Sequence, residues 1–171
     1  MKQIILILIL GFIAYGLFFY FKPSKPLDES VIIDKIVVTK HKRTLALISN
    51  NEIVKTYKIS LGKVPKGAKE FEGDKKTPEG LYIINDKNPN SKCHKNLGIS
   101  YPNEQDIEHA KKMGKSPGGL IKIHGMLNGY GWLGRFHLFR DWTAGCIAVT
   151  DKEMDELYEN VKIGTPIEIK P

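Results

Sequence analysis

The sequence predicts a mainly β domain with short helices, its sheet closed or sandwiched, preceded by one N-terminal transmembrane helix. Short β-branched runs recur between turn signals, and the helical patterns after the N-terminus are brief and capped. Residues 4 to 21 form an unbroken run of 18 residues, apolar except for Gly11 and Gly16. With 171 residues the chain holds one ordinary domain and a short appendage. A content of 42% hydrophobic and 26% charged residues excludes a disordered polyelectrolyte. The net charge of +7 is spread along the chain without a basic stripe or reader motif, so nucleic acid is not an expected partner. Cys93 and Cys146 are too few for a disulfide scaffold and lack the spacing of a structural zinc site.

The apolar run is long enough for a membrane span. Its one small-x-small triplet, Ala14-Tyr15-Gly16, lies inside it, which predicts an uncleaved signal anchor over residues 1–22. Lys2 favours a cytoplasmic N-terminus, although Lys22 and Lys25 blunt the asymmetry. Residues 23–30, polar and with two prolines, read as a linker, and the domain covers 31–171. Strands are expected at Val31–Thr39, Thr44–Ser49, Ile53–Leu61, Leu81–Ile84, Leu120–His124, Ile147–Val149 and Thr165–Ile169. Asn103 caps a helix to about Met113, closed by Gly114, and Thr150 with Glu153 forms a capping box for a helix through Asn160.

Cys146 follows Gly145 and precedes a strand, a setting that can present a nucleophile. Glycine permits a tight turn, leaving the amide hydrogens of Gly145 and Cys146 to face a developing oxyanion. His124, ending its strand before Gly125, is the natural base. Spacing alone leaves an inert thiol and a structural histidine as the competing account.

Four segments carry more weight together: Lys76-Thr77-Pro78-Glu79-Gly80-Leu81-Tyr82, Ser100-Tyr101-Pro102-Asn103, the stretch from Pro117 to Gly125 ending in Ile123-His124-Gly125, and the stretch from Asp141 to Thr150 containing Trp142-Thr143-Ala144-Gly145-Cys146-Ile147-Ala148. In this order, from about Ile33 to Ile169, they resemble the L,D-transpeptidase catalytic domain of bacterial cell-wall enzymes. The resemblance implies a Cys146 nucleophile, a His124 base, and the Gly125 carbonyl orienting the imidazole. It implies peptidoglycan stem peptides as substrate, no metal or organic cofactor, and an extracytoplasmic domain on the bacterial inner (cytoplasmic) membrane. Thr143, Ala144 and Gly145 are then expected around the oxyanion and substrate.

Ala144 and Ala148 depart from the commonest family pattern, which has histidine at the first position and arginine or asparagine at the second. Hydrolysis of an attachment to peptidoglycan therefore stands beside crosslinking, and a non-catalytic wall-binding protein is the alternative from another class. Arg135 and Arg140 could bind substrate carboxylates or serve as surface charges. Tyr130 and Trp132 could form a lid or a sugar-facing wall, or cap the core. His137 is an alternative base, set among neighbours that look like packing. His41 and His94 are expected to face solvent, and Cys93 to be a small buried hydrophobe. A Cys93–Cys146 disulfide is open to the pair outside the cytoplasm and would silence the thiol.

Overall fold

Alternation decides which strand faces meet. In β1 (Lys35–Thr39) and β2 (Thr44–Ser49), Ile36, Val38, Leu45 and Leu47 are fully buried between half-buried neighbours, and the two strands pair antiparallel. In β3 (Glu52–Lys58) the alternation continues with Lys55 and Tyr57 inward, and Lys55 pairs with Glu156 at 3.0 Å. The computed structural model describes residues 2–21, 25–28 and 31–171. The remaining strands are β4 (Gly80–Ser91), β5 (His94–Ile99), β6 (Lys122–His124), β7 (Ile147–Ala148) and β8 (Pro166–Lys170). Among the described residues they form one eight-stranded sheet in the order β3-β2-β1-β8-β4-β5-β6-β7.

The sheet bends because β4 serves two neighbours. Its first residues pair with β8, and the rest pair with β5 through register shifts between Ile84 and Asp86 and between Asn88 and Ser91. Two bridges, Ser60 to Ala148 and Gly62 to Thr143, join the chain following β3 to β7 and its approach. The two ends of the strand order are therefore brought together, as the expected closed sheet requires. The strand foreseen at Leu81–Ile84 is longer than expected, and β5 was not foreseen, since its polar residues and Gly98 give no β-branched run. Gly98 is needed there, because a Cβ would stand 2.6 Å from Asn85 Oδ1.

Both expected caps form. Asn103 and Asp106 make the capping box of α2 (Glu104–Lys112), with Gly114 at φ +66° beyond its end. Thr150 and Glu153 cap α3 (Asp151–Asn160), whose Met154 and Leu157 are fully buried. The segment between β3 and β4 is pinned by buried polar groups. Lys40 Nζ donates to Gly67 O, Thr77 O and Glu79 at 2.6, 2.9 and 2.7 Å, and Lys69 pairs with Asp74 at 2.8 Å.

The apolar N-terminal run is helical in α1 (Lys2–Phe21), with the described side chains, residues 3–18, exposed. Among the described residues no helix is long and apolar enough to cross a membrane. The expected transmembrane helix is thus unsupported here. Residues 1 and 22 of that anchor, and 23, 24, 29 and 30 of the expected linker, lie outside the described residues.

Candidate active site

The site forms where β6 and β7 run parallel. Ile123 pairs with Ile147 and His124 with Ala148, so Cys146 enters the strand next to the residues that carry His124. The turn ahead of it is built by Thr143. Its hydroxyl donates to Cys146 O at 2.7 Å and accepts from Gly145 N–H at 3.1 Å. This corrects one expectation: the Gly145 amide is committed to a side chain. Among the described residues the Cys146 N–H has no hydrogen-bond partner.

Gly145 lies at φ +132°, a conformation open to glycine, and a Cβ there would meet Lys76 O at 2.7 Å. Thr77, in the same segment, is fully buried and accepts from Gly62 N–H at 3.1 Å. The Thr-Pro-Glu-Gly motif therefore acts from behind the nucleophile turn, bracing its backbone.

The thiol of Cys146 faces backbone. Sγ donates to Leu120 O at 3.6 Å, and the Lys122 N–H donates to it. Leu120 sits at φ +56° with its side chain exposed, an unusual conformation for a bulky residue. Burial pushes the Cys146 thiol up, against the Lys122 N–H and the Lys122 and Lys69 charges, which favour the thiolate.

His124 is buried, and its Nδ1 lies 2.7 Å from Gly125 O. A carbonyl can only accept, so Nδ1 carries the proton and Nε2 is the basic nitrogen. Burial lowers the His124 pKa, against the Gly125 carbonyl, and Lys122 lowers it further. Imidazole and thiol thus rest as a neutral pair. Gly125 must lack a side chain, since a Cβ would stand 2.7 Å from Asp151 Oδ1 and 2.9 Å from His94 Cβ. Asp151 Oδ1 also accepts from Met126 N–H at 2.7 Å, fixing the loop as it leaves the site.

Trp142 and His137 back the base. The Trp142 ring meets His124 edge-on, with centroids 5.6 Å apart. Ser60 Oγ spends its hydrogen on His137 O at 2.9 Å, so at 3.1 Å from His137 Nδ1 it accepts. The Nε2 of His137 is buried without a partner, and burial, followed by the His124 charge, pushes its pKa down to about 4. His137 is therefore tied to Ser60 at the sheet closure, its Nδ1 proton committed there.

The other expected residues divide. Ala144 is exposed beside the thiol. Ala148 is fully buried and bonded in both directions to Ser60, so its small side chain does not open a pocket to solvent. Arg135 pairs with Glu153 at 3.1 Å, and Arg140 is exposed. Tyr130, just before a 3-10 stretch, Gly131–Phe139, and Trp132 within it are both exposed, and the stretch is interrupted at Gly134 (φ +47°). Trp132 and Arg135 line a groove of ≈ 820 Å³ with Asp151 and Glu153.

Cys93 is half-buried and a free thiol, as is Cys146, so the disulfide open to the pair is not formed. His94 departs from solvent to pair with Asp155 at 2.7 Å, whereas His41 is exposed, its Nδ1 2.7 Å from Pro171 O. Among the described residues no cluster of three potential metal ligands occurs. The residue that sequence reasoning passed over is Lys122, the cation nearest the reacting pair in sequence. Its alternation with His124 in Ile-Lys-Ile-His was the available signal.

Known proteins carry the same arrangement of chain. The profile of the L,D-transpeptidase catalytic domain (YkuD) matches residues 33–169. YafK of Escherichia coli (strain K12), whose name assigns it provisionally to the L,D-transpeptidases, is 29% identical over 132 residues, 74% of this chain and 46% of YafK. The helical cell shape determining protein Pgp2 of Campylobacter jejuni superposes with a TM-score of 0.60 at 26% identity, covering 87% of this chain and 53% of Pgp2. An L,D-transpeptidase of Mycobacterium smegmatis, at 14% identity and a TM-score of 0.54 over 80% of this chain and 58% of its own, shares the fold. The chain spans about half the length of YafK and Pgp2. By the match over residues 33–169, it belongs to the L,D-transpeptidase catalytic domain family.

Proposed function

We propose that the protein is a cysteine acyltransferase acting on peptidoglycan stem tetrapeptides and forming or exchanging 3-3 crosslinks in wall biogenesis. The observation that carries this reading is the parallel pairing of β6 with β7, which brings the strand after Cys146 alongside the one that ends in His124, whose Nδ1 is committed to Gly125 O and whose Nε2 is left to take the thiol proton. The Cys146 sulfur attacks the carbonyl of the third stem residue. The Cys146 N–H supports the oxyanion, and His124 returns the proton to the departing amine of D-alanine. A thioester remains. An amine from a neighbouring stem then forms a new amide and releases the thiol. Lys122 supplies positive charge near the substrate's carboxylate.

A second reading, hydrolysis of the thioester or of a peptide or protein attachment to peptidoglycan, is favoured by exposed Ala144. There the family's more common histidine is replaced by a methyl group, and water can approach. In both readings residues 1–22 anchor the chain in the bacterial inner (cytoplasmic) membrane, with the domain outside the cytoplasm. The support is the 18-residue apolar run and its exposed described side chains. Incubation of the full chain with defined muropeptides, with and without an acceptor amine, separates the readings by product mass. Crosslinked dimers support transfer, and shortened stems alone support hydrolysis. Absence of either product would leave a wall-binding protein.

A further inference from the structure

The groove beside the 3-10 stretch Gly131–Phe139 is not accounted for by the chemistry at Cys146. Four aromatic side chains crowd this short piece of chain and its approach. Tyr130, Trp132, Phe136 and Phe139 are 53%, 78%, 57% and 66% exposed, and the two phenylalanines meet with centroids 6.0 Å apart. Exposed aromatic surface of this density marks a contact surface.

What it contacts is indicated by where the N-terminal chain joins the domain. Lys25 and Pro26 line the same groove as Trp132 and Phe136. They are held there, since Lys25 O accepts from Lys55 Nζ and the Leu27 N–H donates to Glu156. Three residues separate Phe21, the last of α1, from Lys25, a length of chain that reaches at most about 14 Å. The end of the apolar helix is therefore confined to the neighbourhood of these aromatics. The groove's charges point the same way. Glu153 is engaged by Arg135, Glu156 by Lys55, and Asp151 accepts from Met126 N–H, whereas Lys25 and Lys152 are exposed. That leaves outward positive charge suited to anionic headgroups.

We infer that the aromatic surface of residues 130–139 is a lipid-contact surface, seated in the headgroup region of the membrane that holds α1. Trp and Tyr favour this interface because their rings combine an apolar body with a polar handle. Seating would hold the domain against the bilayer at a second point and limit its swing on the tether. The inference rests on the anchoring reading above.

The test uses the full chain reconstituted into vesicles of phosphatidylcholine and phosphatidylglycerol, with or without bromine on the acyl chains near the headgroups. The protein has two tryptophans, so Trp142→Phe leaves Trp132 as the sole emitter and Trp132→Phe leaves Trp142. Trp142→Tyr is the second background should Trp142→Phe fail to fold. The expected result is a loss of Trp132 emission on brominated vesicles, with Trp142 emission unchanged. Failure of the chain to float with vesicles would overturn the anchoring reading, and this inference with it. Flotation with Trp132 indifferent to bromine would overturn this inference and leave anchoring standing. In that case, a Trp132 emission change on adding glycan strands would assign the aromatics to sugar stacking.

Discussion

The thiol of Cys146 donates its hydrogen to the carbonyl of Leu120, 3.6 Å away, and no hydrogen bond joins it to His124 in this resting state. Leu120 holds that carbonyl from a left-handed backbone position. The thiol is thus parked on the backbone, and under the proposed chemistry it must turn away before His124 can take its proton.

Cys146→Ser is expected to fold but to lose acyl-enzyme formation, since a hydroxyl is a poor substitute where the base serves a thiol. His124→Gln, which removes the base, should slow acylation by ~10²- to 10⁴-fold. Intact-protein mass after incubation with a stem tetrapeptide reads both. Undiminished acyl-enzyme in the serine variant would remove Cys146 from its assigned role.

The acid limb of acylation should lie below pH 6.5. His124 must be neutral to accept a proton, and burial holds its pKa below the ordinary value, so activity persists as pH falls through 6.5 and disappears only at more acidic pH. Burial raises the Cys146 pKa, which moves direct thiol ionisation to more alkaline pH. A pre-steady-state pH profile with an acid limb above 6.5 would contradict the neutral pair.

Thr143→Val should remove both the donor to Cys146 O and the acceptor for Gly145 N–H. A cost of about 1 to 3 kcal/mol in stability is expected from the unsatisfied turn. Acylation should slow beyond what partial unfolding explains, because the Cys146 N–H loses its fixed direction. Denaturant melts paired with acylation rates check this.

Stability should depend on pH through His137. Its pKa is near 4 in the folded protein, pushed down by burial, against an ordinary 6.5 when unfolded. Below 6.5 the unfolded chain binds the proton first. Stability is therefore full above pH 6.5 and falls as pH drops towards 4, by about 3 kcal/mol in all. His124 contributes in the same direction. Urea unfolding of His137→Phe beside the parent should show a shallower loss across this window.

Ala144→His should change the fate of the thioester more than its formation. Ala144 is exposed beside Cys146, so a histidine would add bulk and polarity where water approaches. The ratio of crosslinked to hydrolysed product, compared at equal acylation, is expected to rise. An unchanged ratio would move the determinant to the loop from Met126 to Arg140.

Features encoded within a few residues were legible in the sequence. The capping boxes at Asn103 and Thr150, the alternation of Ile121 and Ile123 against Lys122 and His124, and the glycine before Cys146 depend on near neighbours. The Gly145 amide was misassigned because pattern does not show which acceptor a turn amide finds, and Thr143 Oγ1 lies two residues away. Arg135 stood open between substrate ligand and surface charge because Glu153, with which it pairs, is 18 positions distant. The hydrogen bond from His137 to Ser60 and the edge-on contact of Trp142 with His124 join strand, turn and loop and have no local signature.

The two bridges that close the sheet, Ser60 to Ala148 and Gly62 to Thr143, flank the nucleophile on either side in sequence. The Cys146 thiol therefore sits on the seam of the fold, held by contacts between segments roughly eighty to ninety residues apart, as follows from the positions they join. Such a seam can part while the rest of the sheet persists. Loss of catalytic competence on warming would then precede loss of the β fold, making activity a reporter of closure at this one line.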